Sequence, residues 1–253
     1  MSDDLTEQGP WADLRRLTAA RIGLKRSGAS LSTAPLLQFA LAHAQARDAV
    51  HEALDEAKLA TDLDALSFPV LRVASAVESR QQYLMRPDLG RQLAADAEAV
   101  LAPQGGSHDV AFVIADGLSA RAVQAHAAPV LRETLAALRN EDWRIAPLVV
   151  ARHGRVAIGD EIAARLKADA VVVLIGERPG LSSPDSMGAY LTWQPHAQTT
   201  DADRNCISNI RPEGIGYADA AFKIASILRA MKTRRLSGVM LKDESDRLML
   251  EQK

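Results

Sequence analysis

Three short apolar runs, each closed by a glycine among polar residues, constrain this chain more than any other feature. VAFVIADG, IAPLVVARHG and VVVLIGERPG are rich in valine and isoleucine and too short to be buried helices. Runs of this kind read as strands covered on both faces. Between the first two lies a helical pattern over residues 118–139, with Ser119 placed as an N-cap. Between the second and third lies IGDEIAARLKA, again helical. Strands alternating with helices at this spacing predict right-handed βαβ units and a parallel sheet. The fold class expected is α/β, a Rossmann-like parallel sheet with flanking helices. AYLTW supplies a further strand, followed by a long loop and a helix over about residues 217–235.

The part before the first run has a different rhythm. Residues 11–64 are rich in Ala, Leu and charged residues with apolar positions three and four apart, interrupted by the loop KRSGASLSTAP. A helical segment over residues 88–101 comes next. The division expected is an N-terminal helical domain at 1–87, a Rossmann-like domain at 88–245 and a C-terminal tail at 246–253.

Composition enters mainly by exclusion. A net charge of -2 gives no global attraction to nucleic acid or anionic lipid. The single cysteine forbids an internal disulfide and multi-cysteine zinc sites, and fits a reducing compartment. The six histidines show no H-x-x-x-H or H-E-x-x-H spacing, so no protein-bound metal is expected. The first residues lack the apolar stretch of a signal peptide, and no apolar run approaches the ~20 residues of a membrane span. A cytoplasmic protein is expected.

In open parallel sheets ligands bind outside the carboxyl ends of the strands. Here those ends are ADGLS, ARHGRV and GERPG, which would lie side by side on one rim. ADGLSA lacks the G-x-G-x-x-G spacing of a dinucleotide turn, and Asp116 and Ser119 read equally well as helix caps. Glu177 and Arg178 sit in a turn stiffened by Pro179 and Gly180, and solvated surface charges are the plain alternative for them. Cys206 lies in the polar segment DADRNCISNIRPEG. It could be a nucleophile with His153 or His196 as base, although a lone cysteine is more often a small packing residue. The basic cluster Arg15, Arg16, Arg21, Lys25 and Arg26 reads as a wet helix face, a docking surface or a phosphate site.

Taken in order, LTAARIGLKRSG, YLMRPDLGRQL, VIADGLSA, VARHGRVAIGDEI, LIGERPGLSSPDSMGAYL and DADRNCISNIRPEG resemble the small (light) subunit of ethanolamine ammonia-lyase, over about residues 13–240. The resemblance implies an adenosylcobalamin enzyme of two kinds of subunit that converts ethanolamine to acetaldehyde and ammonia by radical chemistry. It implies a large subunit, a (β/α)8 barrel, that holds the substrate and most catalytic groups, and a small subunit that closes over the cobalamin. The family's cobalamin contacts fall on Val156, Glu177 and Cys206, and no catalytic residue is expected on this chain. Glu177 would accept hydrogen bonds from the cofactor, Val156 would give a backbone contact and Cys206 a packing surface. No Asp-x-His-x-x-Gly segment occurs, so the cofactor is expected base-on, as the resemblance also implies. Several relatives carry an N-terminal extension that directs them to a bacterial microcompartment. Only about ten residues precede Trp11 here, so the cytoplasm is the expected location and a microcompartment the alternative. Two other readings stand beside this one: a stand-alone Rossmann-like nucleotide-binding enzyme, and a noncatalytic assembly module.

Overall fold

The computed structural model describes residues 10–245; the tail at 246–253 lies outside the described residues. The chain opens with α1 (Pro10–Arg16), a hairpin of β1 (Arg26–Ser27) and β2 (Ser30–Leu31), α2 (Thr33–His51) and α3 (Glu56–Asp64). KRSGASLSTAP, expected as a loop and a helix start, forms that hairpin with Gly28 at φ 62° in its turn and then opens α2 at Thr33. Then follow β3 (Val70–Ala74), α4 (Arg80–Met85), α5 (Ala97–Leu101), β4 (His108–Ala115), α6 (Ala120–Leu138), β5 (Leu148–Arg152), α7 (Ile158–Leu166), β6 (Ala168–Gly176), β7 (Met187–Trp193), β8 (Arg204–Ile210) and α8 (Tyr217–Arg234).

Six strands make one sheet in the order β3-β5-β4-β6-β7-β8. The first four are parallel, but β7 and β8 run antiparallel, so the sheet is mixed rather than parallel throughout. The cause is connection length: residues 177–186 and 194–203 hold no crossover helix, and a parallel return needs a dozen or more residues. β3 was not expected, and it comes from within the first 87 residues yet pairs with β5 in this sheet. Cys206, expected in a loop, lies in β8. The helix expected over 88–101 is reduced to a 3-10 turn at Leu89–Arg91 and the short α5.

Alternation along the strands divides two cores. Val110, Phe112, Ile114, Val172 and Leu174 face α6 and α8, while Ala111, Val113, Val171 and Val173 face the α5 and α7 side. At ~25 cal/mol per Å2 of apolar surface removed from water, this two-sided burial is the main stabilising term of the sheet. Ser119 caps α6 as expected, its hydroxyl accepting from the Ala122 amide. From β4 the chain crosses by α6 to β5 on one side and then returns by α7 to β6 on the other. The carboxyl ends of β4, β5 and β6 therefore meet at a topological switch point. No helix among the described residues is long and apolar enough to cross a membrane.

Candidate functional site

The three strand ends form one rim, and a cleft of about 430 Å3 opens there. Val156, after β5, and Glu177, after β6, both line it, together with Leu118, Ile175, Arg155, Arg178 and Tyr190. Two of the three expected site residues are thus brought to one wall. Cys206 does not line the cleft. It stands opposite Tyr190 in the β7–β8 register.

Glu177 is held by its own chain. Its carboxylate accepts from the Ser208 hydroxyl at 2.5 Å, from the Asn209 amide at 3.1 Å, and from the Ser186 hydroxyl. A bulge supplies two of these donors. Met187 and Ala189 in β7 face Ile210 and Ile207 in β8, so β8 carries one extra residue here, and Asn209 takes φ 60°. Gly188 leaves the space, since a Cβ there would come 2.9 Å from Glu177 Oε1. With about four lone-pair positions, the carboxylate keeps one acceptor position beyond these three bonds.

The loop that follows is fastened along its second half. Ser119 donates to the Pro184 carbonyl at 2.9 Å, and Arg211 donates to the Ser182 carbonyl at 3.1 Å while pairing with Asp185 at 3.1 Å. Asp185 Oδ2 in turn lies 3.6 Å from His126, whose other ring nitrogen meets the Tyr217 hydroxyl at 2.9 Å.

Below the cleft lies a polar cluster that the sequence reading did not single out. Tyr83 is fully buried, donates to the Gly154 carbonyl at 3.1 Å, and has the guanidinium groups of Arg155 and Arg80 at 4.1 and 4.8 Å from its ring centroid. Burial pushes its phenol well above the usual range. Arg80 also donates to the carbonyls of Val50 and Gly117, both at 2.7 Å, and lies 3.6 Å from Asp116. Asp116 is 3% exposed, and burial pushes its carboxyl up to about 6, opposed by Arg80 and by the Gly154 amide at 3.2 Å. Arg155 Nε is buried with no hydrogen-bond partner. The only local signal for Tyr83 was its motif YLMRPDLG, since tyrosines number three in the whole chain.

Two expected alternatives lose their geometry. A dinucleotide needs an open turn after the first strand of its βα unit. Here Gly117, at φ 57°, lies directly against the Gly176 backbone, and the Leu118 amide donates to the Gly176 carbonyl at 2.9 Å. The turn is closed by the end of β6. The Cys206 thiol is exposed on β8, yet partial desolvation and the nearby Glu177 carboxylate push it up, which works against a nucleophilic thiolate at neutral pH.

The family model of the ethanolamine ammonia-lyase light chain (EutC) matches residues 8–242. The chain belongs to that family. Ethanolamine ammonia-lyase small subunits of Ralstonia nicotianae, Xanthomonas campestris pv. campestris and Rhodopseudomonas palustris are 52%, 54% and 55% identical to it, over 96%, 95% and 92% of its length. The same alignments cover 92%, 90% and 90% of the relatives' own chains. The light-chain match takes in every element of the rim, from Tyr83 to Arg211.

Proposed function

We propose that this chain acts as the small subunit of an adenosylcobalamin-dependent ethanolamine ammonia-lyase, holding one side of the cofactor where a large subunit covers the other. The observation that carries the reading is the meeting of Val156 and Glu177 on one cleft at the switch point. A corrin is a broad apolar disc fringed with amides, and the cleft offers what such a group needs. Leu118, Val156 and Ile175 give apolar contact, Glu177 keeps an acceptor position, and Arg155, whose buried Nε has no hydrogen-bond partner, lines the same cleft. Cys206 supports Tyr190 from the next strand and packs at the edge.

When bound, adenosylcobalamin supplies the radical chemistry that converts ethanolamine to acetaldehyde and ammonia. This chain's part is to orient the cofactor and exclude water from it, with no catalytic residue of its own. Base-on binding of the cofactor is part of the same proposal. The cytoplasm is the proposed place of action, and the division at residue 87 is kept as a proposal with β3 contributed across it.

The test is cobalamin retention by the co-expressed pair of subunits, read from corrin absorbance after gel filtration. Glu177→Ala should weaken retention at least tenfold while the two chains still co-elute. Unchanged retention removes Glu177 from the site, and a colourless wild-type complex removes the reading itself.

A further inference from the structure

We propose that the outward face of α2 is a docking surface for the large subunit, separate from the cofactor rim but continuous with it; this rests on the two-subunit reading above. α2 is apolar on two faces. One, marked by the buried Ala42 and Ala49, belongs to this chain and includes its contact with α6. The other carries Leu36, Leu37, Ala40, Leu41 and Ala44 at spacings of three and four, and Leu37 and Leu41 are 62% and 60% exposed. A helix apolar all round is normally buried all round. None of residues 33–41 is buried, so the first half of α2 gains little from packing on this chain. So short a helical stretch is marginal in water without it.

The patch extends through the segment before it. Trp11, Leu14 and Leu17 are also exposed, and the guanidinium of Arg21 lies 5.9 Å from the Phe39 ring centroid, which joins that segment to α2. Leu36, Leu37 and Leu41 are exposed along α2, and Trp11, Leu14 and Leu17 along the segment that Arg21 ties to it.

Its position argues for the large subunit as occupant. At one end Arg21 donates to the Leu181 carbonyl at 3.4 Å, in the loop that follows Glu177. At the other the Val50 carbonyl accepts from Arg80, which also holds Gly117 in the cleft wall, and Glu52 pairs with Arg121 at 2.8 Å. A body large enough to cover the rim would lie over α2 as well.

A photo-crosslinking residue in place of Leu37, in the full chain co-expressed with the large subunit, should give a covalent product with the large subunit. Leu37→Glu with Leu41→Glu should weaken assembly at least tenfold by titration, with the circular dichroism melt of the isolated chain unchanged because both side chains face solvent. A crosslink to a second copy of this chain, no crosslink within an intact complex, or wild-type affinity in the double variant overturns the proposal. In the last two cases a wild-type complex that still retains cobalamin leaves the cofactor reading standing. Failure of the wild-type chains to assemble removes both.

Discussion

Asp116 shows how much one side chain can carry at a switch point. Its folded pKa of about 6 stands above the 3.8 of a free carboxyl, so over that interval the native state holds a proton that the unfolded state has lost. Stability from this group is therefore fully present below about pH 4 and declines as pH rises to about 6, by up to ~3 kcal/mol. Asp116→Asn is neutral throughout. The difference in unfolding free energy between variant and wild type, from urea titrations at pH 4 and pH 7, should shift in the variant's favour by a sizeable part of that amount. A difference independent of pH would mean that Arg80 and the Gly154 amide offset burial completely. Asp116 itself was visible in ADGLS as a helix-cap candidate, but its partners were not, because Arg80 comes from α4, well before it, and Gly154 lies 38 residues after it. Val156, Glu177 and Cys206 came from family likeness, and their spacing alone would not have joined them.

Strands were legible in proportion to their burial. β4 and β6 are covered on both faces, so their apolar runs stand out in the sequence. β3 and β8 are the two edges: of β3 only Val73 is buried, and β8, RNCISNI, buries only Arg204, Ile207 and Ile210, with its bulge among them. A bulged edge strand has no simple period to read. That same irregularity is what turns Ser208 and Asn209 onto Glu177. Asn209, at φ 60°, occupies a region that costs a β-branched residue about 1–2 kcal/mol. Asn209→Val should lower unfolding free energy by about that much and weaken cobalamin retention in the complex, whereas Asn209→Gly should do neither. Equal losses in the two variants would assign the effect to the missing asparagine side chain instead of the bulge.

At the scale of the molecule, the parallel half of the sheet and its antiparallel wing must move as one body if Glu177, just after β6, is to stay clamped by Ser186, just before β7, and by Ser208 and Asn209 of β8. One buried fork joins them on the α7 side. Arg204, in β8, gives two hydrogen bonds to Asp160 of α7, at 2.7 and 2.6 Å, and a third to Thr192 of β7 at 3.0 Å. The arginine side chain is 2% exposed and its partner 10%, so little water is available to replace either group. Removing one member of such a pair strands a buried charge and costs about 3–5 kcal/mol, far more than a surface ion pair is worth. Asp160→Ala should therefore lower the urea midpoint by that equivalent. The paired replacement Asp160→Leu with Arg204→Met should recover most of the loss, because two apolar groups leave nothing unpaired. If the double variant is no better than Asp160→Ala, the fork is holding geometry that hydrophobic packing cannot reproduce. The Glu177 clamp, and with it cofactor retention, should then fail in parallel with stability.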